Sequence, residues 1–438
     1  MIIIFSKQIT ERLSYTLDLI FNSVLEVGFE FTDDKNVFIN SPLPKINYSN
    51  ENFGEGLFLN PHPLLFETTI LVQEIRSFTH ENHWCFFPSP KNSFLPFDVF
   101  ACSFYLASRY EEYLFTEKTE HNRFPAKESI QYKNNVLGEP LVNQWAQLLA
   151  KKISENYPEF EVPKKKFHFL MTIDVDNAWA HLNKSFAIQT GGLLRYLLNR
   201  NRKEANKKLN VLLGKEGDPY DTFDFIENEF KGIEDHLKFF FLLGNRGKYD
   251  KNISYKNQEL RSRIRQLAGK YEVGVHPSYA SNSRKELTGI EKKRLEEIIE
   301  KTVKNSRQHF LMIDLPETYE NLVESGIEND YTMGYADAIG FRAGLCSPFQ
   351  FFNLEKNISS KLTVFPLITM DVTLKDYLKL SPDEAIVETE KLMRKVKATG
   401  GTFIVLWHNE SINDLGLWKS WKNVFIQTIK TGMSLEND

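Results

Sequence analysis

The chain predicts an α/β protein in two parts: a smaller α+β domain over residues 1–160, then a βα-alternating domain over residues 165–438 with a helical insert at about 180–232. Three observations carry this. A length of 438 residues exceeds one domain of roughly 100–200 residues. From Phe167 onward, short apolar runs alternate with longer helical or polar segments, the order that builds a parallel sheet or barrel. Between the parts, "NYPEFEVPKKKF" carries two prolines and a charge run, the composition of a linker.

In chain order, "MIIIF" reads as a first strand, because charges follow directly and no basic residue precedes the short apolar patch, unlike a secretory leader. Leu13, Leu17, Ile20, Phe21, Val24 and Leu25 recur at helical spacing. The run "FDVFACSFYLASRYEEYLF" predicts one core-packed helix from Phe97 to Leu114, with Glu111 and Glu112 emerging to solvent or a domain interface. A second helix is expected over "PLVNQWAQLLAKKISE". In the second part the strands are "FHFLMTID", "LKFFFLLG", "YEVGVH", "IGFRAG", "LTVFPLITMD" and "GTFIVLWH". The basic run "LLRYLLNRNRKEANKKLNVLLG" in the insert reads as the solvated face of a lid or surface helix.

Composition narrows the function classes. The chain is 42% hydrophobic with 35 Phe, enough to build buried cores. A net charge of −4, from 54 basic and 58 acidic residues, favours neither nucleic acid nor an anionic membrane surface. No window approaches the ~18 uninterrupted apolar residues of a membrane span. Cys85, Cys102 and Cys346 are odd in number and widely spaced, which predicts reduced thiols and a cytoplasmic location.

Five predicted strands end on Asp174, His276, Arg342, Asp371 and His408, and in parallel βα architectures those ends share the face that hosts the site. Asp174 and Asp176 are two apart, so in an extended chain they project to one side and repel unless a cation or proton lies between them. A strand end followed by a helix N-cap is the alternative for that pair. The two acids with His276 offer oxygen and nitrogen ligands for a divalent metal. His408 suits acid–base chemistry, Arg342 would hold a carboxylate ionised, and Asp371 would orient an imidazole. Taken singly, His276 also reads as a structural histidine, Arg342 as a loop closer and Asp371 as a turn cap. His80 and His83 have i, i+3 spacing but no third ligand nearby, and Trp179 and Trp407 suit either sugar stacking or core packing.

The ordered set "TIDVD", "VGVHPSY", "GFRAGLCSP", "FPLITMD" and "VLWHNES" resembles the five motifs of the polysaccharide deacetylase superfamily (NodB homology, carbohydrate esterase family 4) over about residues 165–415. The upstream "FDVFACSFYLASRYEEYL", "NRFPAKES" and "LVNQW" resemble the N-terminal domain of a bacterial branch of such proteins. The resemblance implies a distorted (β/α) barrel of the NodB-homology type. In it a divalent metal, commonly zinc, is held by an Asp and two His and serves hydrolysis of N-acetyl groups on sugars. By position it implies Asp174 as catalytic base, Asp176 and His276 as metal ligands, Arg342 as the residue positioning the base, His408 as proton donor and Asp371 as its orienting acid. Two departures stand out. Val175 separates acids that are adjacent in the family, and Ala280 occupies the place of the family's second motif histidine. The expected function is therefore a metal-assisted carbohydrate N-deacetylase, with a non-catalytic carbohydrate-binding protein or a hydrolase of a small non-sugar amide as alternatives.

Overall fold

The computed structural model describes residues 1–117 and 119–438, apart from the side chains at positions 186, 187, 193, 195 and 197. The N-terminal part is built on a four-stranded parallel sheet, ordered β2 (Phe29–Thr32), β1 (Ile2–Phe5), β3 (Lys45–Tyr48), β4 (Leu57–Leu59). All four residues of β1 are buried, as the unbroken apolar run requires of a central parallel strand. The following helix, Glu11–Leu17, starts where Thr10 accepts the amide of Leu13, and it continues with wider turns over Asp18–Val24. Helix Val99–Ala107 is buried on every side and is capped by Asp98, which accepts the amides of Phe100 and Ala101. Helix Leu141–Asn156 packs by Trp145 against a hairpin of β5 (Phe78–His80) and β6 (His83–Cys85), where the indole donates to the carbonyl of Trp84 at 2.9 Å.

The expected single helix from Phe97 to Leu114 is broken. Arg109 adopts a left-handed conformation (φ 56°), and a separate turn runs from Tyr110 to Leu114. The break turns Glu111 and Glu112 inward, contrary to an emergence into solvent: their side chains are only 11% and 5% exposed and both bond Arg109.

The larger sheet has nine strands, in the order β12 (Phe349–Asn353), β13 (Ile358–Val364), β11 (Asn329–Asp330), β10 (Asn305–Ser306), β9 (Glu272–Val275), β8 (Leu237–Phe241), β7 (Phe167–Val175), β15 (Gly401–His408), β14 (Leu367–Met370). Every pair is parallel except β12–β13. As hydrogen-bonded strands the sheet is open, with edges at β12 and β14, so the expected barrel is not closed by a continuous ladder. The gap is crossed by an irregular segment over residues 331–344, which bonds β14 only at Leu367 N to Met333 O and Gly340 N to Ile368 O, both 2.9 Å. The predicted strand "IGFRAG" lies within that segment. Gly340 (φ 130°) and Gly344 (φ 65°) hold backbone angles outside the β range, which interrupts any ladder there. Likewise "LTVFPLITMD" divides at Pro366 into the end of β13 and all of β14.

Two-residue periodicity divides the strands between two cores. On β7, Phe167, Phe169, Met171 and Ile173 join the main core beneath the helices, while Leu170 joins a second core inside the curve of the sheet. On β15, Phe403, Val405 and Trp407 face outward, and Ile404 and Leu406 face inward. Both faces are thus buried, which is why these strands read as continuous apolar runs. Asp174 and His408 continue the inward-facing series beyond Leu170 and Leu406. The C-terminal helix Trp421–Asn437 lies close against β7, because a Cβ on Gly432 would meet the ring of Phe169 at 2.3 Å.

The insert forms helices Phe186–Leu198, Arg202–Leu212 and Phe223–Glu229. Arg200, Arg202 and Lys203 are exposed, but Lys208 of the basic run is buried and donates to the carbonyl of Gln189 at 2.7 Å. The side chain of Arg195, in the same run, lies outside the described residues. No helix among the described residues is long and apolar enough to cross a membrane.

Candidate active site

Register brings the strand ends together. Asp174 on β7 pairs directly with His408 on β15, and side chains paired across parallel strands point to the same face. β9 ends one residue before His276, whose amide bonds the carbonyl of Phe241 on β8. β14 ends one residue before Asp371. Asp174, Asp176, His276 and His408 line one cavity of about 170 Å³, floored by Leu311, Ala336, Met370 and Leu406.

The structure adds a residue that is absent from the sequence expectation. His309, three residues past the end of the two-residue strand β10, enters the cavity beside His276 with ring centroids 5.1 Å apart. One ligand atom each from Asp176, His276 and His309 lie within 4.8 Å of one another. His276 Nε2 is 3.3 Å from Asp176 Oδ1 and 3.6 Å from Asp174 Oδ2, and His309 Nε2 is 3.3 Å from Asp176 Oδ2. The two imidazoles thus meet one oxygen each of the Asp176 carboxylate, which lies between them.

Hydrogen bonding behind the rings assigns their tautomers. His276 Nδ1 faces the carbonyl of Arg307, and His309 Nδ1 lies 3.0 Å from Asp250 Oδ1, so each Nδ1–H donates outward. Each Nε2 lone pair then faces a carboxylate oxygen, an arrangement that repels unless a cation or proton lies between. Among the described residues Asp176 Oδ1 is a buried oxygen with no hydrogen-bond donor. The donor set, two imidazole nitrogens and one carboxylate with carbonyl and carboxylate support behind them, therefore fits a divalent metal. Burial opposes charge on Asp176, but His309 and His276 override it and hold the carboxyl well below its usual range. Burial likewise opposes charge on His309, yet Asp176 and Asp250 raise it to about 9.

The expected place of Arg342 beside Asp174 is corrected. Its guanidinium is bonded to Glu112 through Nε at 2.9 Å and Nη2 at 2.7 Å, and to the carbonyl of Gly334. The cation at Asp174 is Arg307, whose Nη1 lies 3.2 Å from Asp174 Oδ1 and 2.7 Å from Thr172 Oγ1. Arg307 is buried, its Nε donates to the carbonyl of Tyr331, and its guanidinium stacks 4.9 Å from the ring of Phe240. Arg342 fails to reach because its strand does not form. Arg307 and His309 are two apart, as Asp174 and Asp176 are, so they share a side of an extended segment and meet the two acids in turn. That parity is the one sequence signal for either.

Asp371 and His408 are in contact: His408 Nδ1 lies 2.9 Å from Asp371 Oδ1, and the His408 amide donates to Oδ2 at 2.9 Å. Burial opposes charge on His408, but the Asp371 carboxylate, with smaller contributions from Asp176 and Asp174, raises it to about 10. Nδ1–H is committed to Asp371, which leaves the second ring nitrogen for the cavity. The other candidates lie elsewhere. Trp407 is core-packed against Trp421 and Phe425, Trp179 donates to Asp221, and neither lines the cavity. His80 and His83 pair across the β5–β6 hairpin and belong to no metal-ligating cluster among the described residues.

The model of a family of unknown function, DUF7033, matches residues 2–158. No curated protein matches the chain. Among solved structures it is similar to one titled "Crystal structure of putative polysaccharide deacetylase from Mycobacterium smegmatis", at 14% identity and a TM-score of 0.40, over 61% of this chain and 84% of that one. It is also similar to a mutant of a CE4 family pseudoenzyme with restored enzymatic activity, at 15% identity and a TM-score of 0.27, over 62% of this chain and 64% of that one.

Proposed function

We propose that this protein is a divalent-metal-dependent amide hydrolase that removes N-acetyl groups from a carbohydrate. The observation that carries the reading is the convergence of Asp176, His276 and His309 beside an arginine-paired carboxylate, Asp174, and an imidazole bonded to Asp371, His408. His309 supplies the imidazole that the Ala280 position lacks, so the feature that favoured a non-catalytic binder no longer does so.

Asp176, His276 and His309 would hold a divalent cation, whose chemistry there would be Lewis acidity toward water and a carbonyl. Asp174 takes the proton of the attacking water as its oxygen adds to the amide carbon. Arg307 fixes the orientation of that carboxylate through Oδ1, leaving Oδ2 toward the cavity. His408 then donates its cavity-side proton to the nitrogen as the carbon–nitrogen bond breaks, yielding acetate and an amine. Asp371 keeps His408 charged for that step. Base and acid thus have different partners: the Asp174 carboxylate faces an arginine, and the His408 imidazole faces another carboxylate. We also propose a cytoplasmic location, a reducing compartment that the three buried free thiols suit.

The test is metal content together with acetate release from N-acetylated sugars, for wild type, Asp174→Asn and His309→Ala. Stoichiometric metal with acetate release that is lost in Asp174→Asn supports the reading. Absence of turnover from metal-loaded wild type across N-acetylated mono- and oligosaccharides overturns it.

A further inference from the structure

The segment "NRFP", residues 122–125, belongs to the N-terminal part yet reaches the mouth of the metal cavity. Asn122 Nδ2 is pinned to Asp314 Oδ2 at 2.8 Å, and the Arg123 amide to Thr119 Oγ1 at 3.1 Å. Arg123 lines the metal cavity and also an adjoining cavity of about 110 Å³, and the two share Leu311, Ala336 and Tyr377. Its side chain is half-buried. Nη1 donates to the carbonyl of Phe310 at 3.0 Å, and Nη2 approaches the Tyr377 hydroxyl at 3.4 Å. Both partners are neutral, and no carboxylate among the described residues forms an ion pair with Arg123.

This sets it apart from the other guanidinium on the second cavity, Arg342, which Glu112 neutralises. Asp337 also lines that cavity but is exposed and does not pair with Arg123. A half-buried guanidinium with unused donors and no counter-ion is the side chain best suited to hold a carboxylate or phosphate, which it meets with two parallel N–H bonds. Phe310, which Arg123 grips by its carbonyl, has φ 64° and is followed by Leu311 at φ 51°. Two consecutive non-glycine residues in the left-handed region are costly, and both line the metal cavity directly after His309. Arg123 thus fixes the strained wall of the site and presents its charge beside it.

We infer that Arg123 is a specificity-determining residue for an anionic substrate. The acylated nitrogen of a sugar enters the metal cavity while a carboxylate or phosphate on the same molecule is held by Arg123 in the adjoining one. This rests on the hydrolase reading above for the metal end and adds the charge of the substrate.

The experiment uses full-length, metal-loaded wild type, Arg123→Gln and Arg123→Lys. Three sugars are compared: neutral N-acetylglucosamine, its 1-phosphate, and the corresponding 6-carboxylate, 2-acetamido-2-deoxyglucuronic acid. The expected result is that kcat/KM for acetate release favours at least one anionic sugar by about tenfold or more, the scale of one charge-assisted contact. Arg123→Gln abolishes that preference and Arg123→Lys keeps part of it, read as the ratio of kcat/KM for anionic over neutral sugar within each variant. Which anion is preferred tells carboxylate from phosphate. Equal or better turnover of the neutral sugar by wild type overturns the inference and leaves the hydrolase reading standing. So does an Arg123→Gln loss that falls equally on all three. Calorimetric binding to Asp174→Asn separates the two claims. Anion-selective, Arg123-dependent binding without wild-type turnover supports the subsite and sinks the hydrolase, and the absence of both binding and turnover sinks both.

Discussion

Replacing Asp250 by asparagine tests the proposed metal centre at the residue behind it. Asp250 Oδ1 accepts from His309 Nδ1 at 3.0 Å and from the Tyr279 amide at 2.8 Å, while Oδ2 accepts the Ala280 amide at 3.3 Å. An asparagine keeps the size and the two contacts at Oδ1, but it turns an NH2 group toward the Ala280 amide and removes the negative charge that makes His309 a stronger donor. The structural cost is one long backbone contact, 3.3 Å from the Ala280 amide, about 1 kcal/mol. The larger effect falls on the metal: loss of an outer carboxylate behind a ligating histidine weakens binding by about 10–100-fold, equivalent to about 1.4–2.7 kcal/mol. The assay is competition for zinc against a chromophoric chelator at fixed pH and salt, with His309→Ala as the severe reference and chemical denaturation to show that each variant is folded. If folded Asp250→Asn holds zinc as tightly as wild type, or His309→Ala retains stoichiometric zinc, the assignment of His309 as a ligand is wrong.

Two further outcomes follow from the same contacts. His408 must carry its proton to act as an acid, and its value of about 10 means that activity persists through neutral pH and is lost as pH rises through about 10. Asp371→Asn removes the charge that raises it, so the alkaline limb of the kcat profile moves down toward the ordinary imidazole range; a limb that stays in place refutes the pairing. Glu112→Gln leaves Arg109 and Arg342, whose side chains are 1% and 2% exposed, without the carboxylate they share. Unfolding free energy by denaturant titration falls by about 3–5 kcal/mol, the scale of breaking a buried pair, and a change below about 1 kcal/mol would show the network to be incidental.

The contrast between the ends of β7 and β10 shows what the sequence reveals of this fold and where it is silent. β7 and β15 are buried on both faces, so they appear as long apolar runs, and the residues on which those runs stop are conspicuous. That is how Asp174, Asp176 and His408 come to attention. β10 spans only Asn305 and Ser306, too short for any period, and it lies in the polar stretch "NSRQH". Arg307 and His309 are therefore invisible to a search for apolar runs, although His309 joins Asp176 and His276 in one cluster and Arg307 bonds Asp174. Arg342 fails for the opposite reason: "IGFRAG" has the composition of a strand, while the backbone angles its two glycines adopt are a property of the folded chain. The inward turn of Glu112 is hidden in the same way, since its partner Arg342 lies 230 residues further on.

The stretch that crosses the open side of the nine-stranded sheet is not held by that sheet alone. Gln131 grips the carbonyl of Phe341, Arg109 that of Arg342, and the Val142 amide that of Gly344. The larger half is in this sense a cask missing a stave, and the N-terminal half wedges the replacement in from outside. Cutting the chain near residue 160 would strip that wedge and leave a stranded guanidinium in apolar surroundings, so the two halves work as a keystone and its arch and are not interchangeable modules.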